Sequence, residues 1–182
     1  MKTLKEIYQN YKTPEGDGDK GTAHSYLEIY EKVFNSRREN ISLLEIGVSK
    51  GYSLMLWKDF FINSKIIGLD INLSNLIFKP DGFEVYETDA TDKIKLDNIL
   101  KDEKFDFIID DGSHLLEHQI ASFNILFPRL KEQGIYFIED IVNIDETKFV
   151  VSNLNPNLQI YDLRNEKGRS DDVLAIITKW KK

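Results

Sequence analysis

Hydrophobic positions along the 182-residue chain follow two different rhythms. Up to about residue 40 they recur at helical spacing. Leu4, Ile7, Tyr8 and Tyr11 mark an amphipathic segment over residues 4–12, and Tyr26, Ile29, Tyr30 and Phe34 mark a second over His24–Ser36. Between them, Thr13–Thr22 is polar and glycine-rich and reads as a loop. From residue 41, short apolar runs alternate with helical stretches. The runs predict strands at Ile41–Ile46, Lys65–Asp70, Phe83–Glu87, Phe105–Asp110, Gly134–Glu139, Leu158–Leu163 and Asp172–Lys179. Helices are expected over Tyr52–Phe61, Asp92–Leu100 (with Asp92 as its cap), His114–Lys131 and Glu146–Leu154, and a short helical turn over Leu73–Phe78.

Strands alternating with helices imply a parallel sheet covered on both faces. The last two strands lack an intervening helix. Arg164–Asp171 reads as a turn or flexible loop, so the last strand is expected to run antiparallel to its neighbour. The expectation is one α/β domain over residues 1–182, with 1–38 as a helical cap or lid and 39–182 as a Rossmann-like, doubly wound core.

Composition narrows the function. A hydrophobic content of 41% with 30% charged residues is that of an ordinary globular protein. A net charge of -7 argues against a nucleic-acid backbone as the main partner. The absence of cysteine removes disulfides, thiol nucleophiles and cysteine metal sites, and agrees with a reducing cytosol. No apolar run has the length of a membrane span, and Met1–Glu6 lacks the apolar core of a signal peptide. A cytoplasmic location is the expectation.

The candidate chemistry lies where strands end. Phe105–Asp110 hands over to a helix through Asp110-Asp111-Gly112-Ser113-His114. Two adjacent acids at the end of a buried strand are costly unless a positive group is bound there. Glu45, Asp70 and Asp89 end three other strands. Glu45 opens a turn with Gly47 and Gly51, where glycine lets the backbone bend sharply and approach a ligand closely. The spacing does not fit the G-x-G-x-x-G frame of nicotinamide enzymes. Asp70 is placed for ribose hydroxyls, and Thr88-Asp89-Ala90 suits an adenine amino group. The strands ending at Asp110 and Glu139 are expected neighbours, so Asp111, Glu139 and Asp140 converge and repel one another. A hard divalent cation such as magnesium would relieve the repulsion. His114 is then close enough to take a proton from an acidified alcohol. A plainer alternative makes Asp110 or Asp111 a helix cap and Glu139-Asp140 a solvated turn, which explains one of these acids. His114-Leu115-Leu116-Glu117-His118 also matches the zinc peptidase pattern H-x-x-E-H. That pattern leaves the glycine turn and the other strand-end acids unexplained. His118 then reads as a residue near the site rim, Glu117 as a contact to the acceptor, and His24 as either a partly buried histidine or a rim residue.

With these residues in place, the chain resembles the class I S-adenosylmethionine-dependent methyltransferases. E-x-G-x-x-x-G at Glu45–Gly51, Asp70 and Asp89 carry the general resemblance. More narrowly, it resembles the metal-dependent sugar O-methyltransferases of macrolide and aminocoumarin tailoring and the cephalosporin hydroxylase group. The residues that carry this are Asp110–His114, Glu139-Asp140, Gly47-Val48, Gly51–Leu54, Asp19-Lys20-Gly21, His24–Tyr26 and Tyr30-Glu31. The resemblance implies strand order 3-2-1-4-5-7-6. It also implies Asp111, Glu139 and Asp140 as magnesium ligands and His114 as general base. Glu45, Gly47, Gly51, Ser53, Asp70, Asp89 and Ala90 would hold S-adenosylmethionine, with Asp110 or Asp111 near its methionine end and Asp110 counted among the cofactor-binding residues. The implied reaction is methylation of a hydroxyl on a small polyol such as a sugar, with a nitrogen or phosphate-linked acceptor, or nucleoside binding without catalysis, as alternatives. Homo-oligomer formation is compatible with the pattern. Two departures are Ser49 at the middle glycine of the commonest motif and the lack, in these residues, of the additional N-terminal domain and long lid insertions of some relatives. Residues 13–24 are the expected lid.

Overall fold

Strand β1 (Ser42–Ile46) is buried along its whole length and lies inside a seven-stranded sheet. The computed structural model describes residues 1–11, 18–155 and 157–180, so part of the expected 13–24 lid lies outside the described residues. β1 is flanked by β2 (Lys65–Asp70) and β4 (Phe105–Asp110), both parallel to it. β3 (Glu84–Glu87) extends the sheet beyond β2, and β5 (Leu130–Ile138) pairs parallel with β4. β7 (Val173–Thr178) runs antiparallel between β5 and β6 (Leu158–Asp162). The order is β3-β2-β1-β4-β5-β7-β6, as the resemblance implied.

Register decides where the site falls. Ile46 is opposite Leu69 and Asp110, and Asp110 is opposite Ile138. Glu45, Asp70, Asp111, Glu139 and Asp140 therefore gather along the carboxyl edge of the parallel strands, where ligands bind in open α/β sheets. The ladder continues past the strand ends: the Asp111 amide donates to the Ile46 carbonyl at 3.0 Å, and the Glu139 amide to the Asp110 carbonyl at 2.9 Å. The two acid-bearing backbones are thus fixed to the sheet.

Apolar side chains on the two sheet faces form two cores. One face is covered by α1 (Leu4–Tyr8), α2 (Leu27–Phe34) and α3 (Tyr52–Phe60). Phe34, fully buried, is its hub, in ring contact with Tyr30, Trp57, Phe60, Phe61, Phe107 and Phe137. Burial of one such ring stabilises the fold by about 1.5–3 kcal/mol. The other face is covered by α4 (Lys93–Leu100), α5 (Leu116–Leu126) and α6 (Ile144–Leu154). Asp92 caps α4 by accepting from the Lys95 amide, as expected.

Several elements differ from the sequence reading. The first segment is helical only to Tyr8 and continues as a 3-10 turn over Gln9–Tyr11, while α2 starts at Leu27 because His24 and Tyr26 are drawn out towards Asp140. The long helix expected over His114–Lys131 is α5 followed by a 3-10 turn at Phe127–Arg129. His114 has φ 61, which keeps it out of the helix, and Leu130 is pulled into the sheet opposite Phe105. Finally, Arg164–Lys167 forms a short helix, α7, ended by Gly168 at φ 73. No helix among the described residues is long and apolar enough to cross a membrane.

Candidate active site

The turn after β1 needs both of its glycines. Gly47 has φ 82, and a Cβ there would stand 1.8 Å from the Asp111 carbonyl oxygen. Gly51 has φ 88, and a Cβ would stand 1.9 Å from the Phe78 carbonyl oxygen. The left-handed conformation favours glycine, and backbone atoms cannot move aside cheaply. Between them the Ser49 amide donates to Asp70 Oδ2 at 2.8 Å, while Asp70 Oδ1 accepts from the Asn72 amide at 3.0 Å. Asp70 thus braces the turn from the end of β2.

Two cavities flank this turn. One, of about 420 Å³, is lined by Gly47, Asp70, Asp89, Ala90, Asp110, Asp111 and His114. Thr88 also lines it, with a buried hydroxyl that has no hydrogen-bond partner among the described residues. Asp89 accepts from the amide and hydroxyl of Thr91, and these bonds hold its carboxyl below its usual range. The other cavity, of about 260 Å³, is lined by Lys20, Gly47, Tyr52, Ser53 and Asp111 among others. Glu45 and Gly51 line neither. Glu45 is fully buried, and its Oε2 accepts from Ser53 Oγ at 2.9 Å and Trp57 Nε1 at 3.1 Å. Burial pushes its carboxyl up to about 7, against the pull of Lys20.

The positive group that the sequence demanded is partly supplied by the chain. Lys20, 3% exposed, places Nζ 2.7 Å from Asp111 Oδ2, 2.6 Å from Glu139 Oε1 and 3.7 Å from Glu45 Oε1. Burial works against its charge, but the carboxylates of Asp111, Glu139 and Glu45 more than offset this and hold the ammonium above its usual range. Tyr30 also donates to Glu139 Oε1. Asp140 Oδ1 accepts from Tyr26 Oη at 2.7 Å and lies 3.2 Å from His24 Nδ1, and the Asp140 amide donates back to Tyr26 Oη. His24 is 2% exposed and stacks on Tyr26, so the buried reading applies to it.

On the opposite side of these acids stands His114. Its Nε2 lies 3.2 Å from Asp111 Oδ1 and 3.6 Å from Asp140 Oδ2. The hydrogen bond to Asp111 raises its basicity. His114 and Asp140 both adopt left-handed backbones, at φ 61 and 55, a conformation that costs about 1–3 kcal/mol per residue and clusters at active sites. Donor atoms of Asp111, His114 and Asp140 all lie within 4.8 Å of one another. The arrangement suits a hard cation, since carboxylate oxygens dominate the donor set. Glu139 stands outside this group, held towards Lys20 and Tyr30. His24, Asp140 and Asp171 form a similar group, but Asp171 already holds the Arg169 guanidinium at 2.9 and 2.7 Å.

The competing readings fail on geometry. Leu115 is the N-cap of α5 and makes no side-chain cap, so neither Asp110 nor Asp111 serves there. Asp110 is buried, accepts from Ser122 and Tyr136, and is pushed up by burial to about 6. His114 precedes the helix, while His118 Nδ1 pairs with Ser113 Oγ at 2.8 Å, so the two imidazoles do not share a helix face as the zinc pattern requires. The roles of Lys20, Tyr26 and Tyr30 were not legible as site chemistry. The two tyrosines share the helical stripe of Ile29 and Phe34, which is a core signal, and Lys20 sits in a polar loop.

A seven-stranded sheet in this order, with a glycine turn after β1 and acids at the ends of β2 to β5, defines a class I methyltransferase fold. Within that class, the chain is a homologue of the sugar O-methyltransferases of macrolide and polyketide tailoring. It is 34% identical to demethylmacrocin O-methyltransferase of Streptomyces fradiae, over 92% of this chain and 47% of that protein. It is 35% identical to mycinamicin VI 2''-O-methyltransferase of Micromonospora griseorubida, over 76% of this chain and 36% of that protein. Among solved structures, the MycE methyltransferase of the mycinamycin biosynthetic pathway, in complex with Mg, SAH and mycinamycin VI, superposes with a TM-score of 0.77 at 26% identity, over 99% of this chain and 55% of that one. The chain thus spans about half or less of the length of these relatives. No family model matches it.

Proposed function

We propose that the chain carries out S-adenosylmethionine-dependent, magnesium-dependent methylation of a hydroxyl on a small polyol such as a sugar. The observation that carries this reading is the convergence of Asp111, His114 and Asp140, the first two of which line the cavity that begins at the glycine turn. The relatives' names and the Mg and SAH of the superposed structure support it. When bound, magnesium would acidify an acceptor hydroxyl and S-adenosylmethionine would supply the methyl group.

The chain's own residues then divide the work. Asp111 and Asp140 would hold the cation, with Glu139 beside them. Gly47 and the Ser49 amide shape the turn on which the cofactor would lie, and Asp70, Asp89, Ala90 and the unpartnered Thr88 hydroxyl line the space for its nucleoside. Glu45, braced by Ser53 and Trp57, sets the charge behind the turn. His114 Nε2 would take the proton from the acceptor hydroxyl as the oxygen attacks. Orientation supplies much of the rate, because methyl transfer between two bound molecules needs no covalent help from protein.

Calorimetry with S-adenosylmethionine and its demethylated product tests the reading, together with Asp140→Asn. Wild-type protein should bind both molecules, and the variant should bind them while losing turnover. Absence of binding by the wild-type protein, or activity that survives both Asp140→Asn and a chelator, would overturn it.

A further inference from the structure

The carboxylates at the ends of β4 and β5 are gripped from one side. Asp111 uses Oδ2 for Lys20 and leaves Oδ1 facing His114. Asp140 accepts from Tyr26 on Oδ1, with His24 Nδ1 nearby at 3.2 Å, and leaves Oδ2 facing His114. The hydrogen bonds of Glu139 fall on Oε1, from Lys20 and Tyr30. Among the described residues, the groups that hold these oxygens of Asp111, Asp140 and Glu139 all come from residues 20–30, and each is buried. We infer that Lys20, Tyr26 and Tyr30 are positioning residues that hold one oxygen of each acid and so present Asp111 Oδ1 and Asp140 Oδ2 to a divalent cation on the His114 side. This inference rests on the functional reading above.

Charge and geometry both carry it. A flexible carboxylate can offer either oxygen, and fixing the choice in advance removes that disorder before a cation arrives. Tyr26 holds Asp140 twice, by donating to its carboxylate at 2.7 Å and accepting from its amide at 3.2 Å. That double contact also secures the left-handed backbone of Asp140. Lys20 is one positive charge among Glu45, Asp111 and Glu139, with Asp140 next in sequence. Were all four carboxylates ionised, they would exceed it by three negative charges, which a divalent cation and a sulfonium together would match. Lys20 therefore stays in place when the site is filled, as a fixed part of the charge balance, and is not a plug that the cation must expel.

Manganese(II) serves as a spectroscopic probe for the divalent site. Electron paramagnetic resonance titration would compare the wild-type protein with Tyr26→Phe, Tyr30→Phe and Lys20→Met, each checked for folding by circular dichroism. The tyrosine variants keep their rings in the core and lose one hydroxyl each. The expected result is manganese binding about 10–100-fold weaker in folded Tyr26→Phe and Tyr30→Phe, the range typical of groups that orient metal ligands. Lys20→Met, where it folds, should weaken binding likewise. Wild-type affinity in both tyrosine variants, or tighter binding in Lys20→Met, would overturn the inference, the latter by making Lys20 a competitor. A wild-type protein that takes up no manganese overturns the functional reading itself, and the inference with it.

Discussion

Gly47 and Asp111 meet backbone to backbone: the glycine Cα faces the Asp111 carbonyl so closely that a Cβ would stand 1.8 Å from its oxygen. The turn after β1 and the acid after β4 are therefore one construction, and neither can shift without the other. Gly47→Ala should disrupt both, lowering the affinity for S-adenosylhomocysteine and reducing stability well beyond the cost of the left-handed conformation alone, about 1–2 kcal/mol. Gly168 provides the comparison, since it has φ 73 but nothing within 4 Å of a Cβ. Gly168→Ala should show the conformational cost and leave ligand binding intact. Chemical unfolding and calorimetry on the two variants check this, and equal effects would refute the steric coupling.

Asp110 gives a pH signature to stability. Burial raises its carboxyl from 3.8 to about 6 in the folded protein. Between those values the folded state keeps a proton that the unfolded chain has released. Stability from this group therefore falls as pH rises from about 4 to about 6, with a slope of at most about 1.4 kcal/mol per unit, and is level above that. Asp110→Asn removes the titration. The stability difference between variant and wild type should shift in the variant's favour across this window, as measured by urea unfolding at several pH values. A pH-independent difference would place Asp110 at its ordinary carboxylate strength.

The sheet was readable because buried parallel strands are apolar runs bounded by turns, and β2 and β4 fall on the expected residues. Asp110–His114 and Glu139-Asp140 were readable as chemistry because acids at the end of a buried strand have no apolar explanation. The grip on them was hidden. Tyr26 and Tyr30 bury their rings in the stripe that packs α2 on the sheet and extend only their hydroxyls to Asp140 and Glu139. A tyrosine that serves core and site together carries the sequence signature of core alone. Lys20 was hidden because a buried lysine depends on partners 91 and 119 residues away. The helix expected through Lys131 stopped short because sheet pairing of Leu130 with Phe105 overrides local helical periodicity.

Ser53 separates two roles. Its hydroxyl donates to Glu45 at 2.9 Å, beside the bond from Trp57, and its side of α3 lines the smaller cavity. Ser53→Ala leaves the buried carboxylate with one donor fewer, a loss of about 1.5–3 kcal/mol for a bond to a charged group. Because Glu45 is pushed up to about 7, the loss should be larger at pH 8.5, where the carboxylate is charged, than at pH 5.5, where it is largely protonated. Urea unfolding at the two pH values measures this. An equal loss at both would mean that Ser53 acts through packing or cofactor contact and not through the charge on Glu45.

His114 and His118 lie four residues apart and should behave oppositely. His114 Nε2 faces Asp111 and Asp140 across the site, whereas His118 pairs with Ser113 at the rim. Under the proposed reaction, His114→Gln removes the group that takes the hydroxyl proton, at a cost of about 10²–10⁴-fold in kcat, the usual contribution of general base catalysis. Cofactor affinity should hold, because the turn, Asp70 and Asp89 are untouched. The pH dependence of the remaining activity should also change form, since the histidine limb of the profile disappears. His118→Gln should keep kcat within a few-fold. Steady-state kinetics across pH with a methylatable acceptor distinguishes these outcomes. A His114→Gln enzyme within tenfold of wild type, with the same pH profile, would exclude the imidazole as the base and leave the proton to solvent or to one of the surrounding carboxylates.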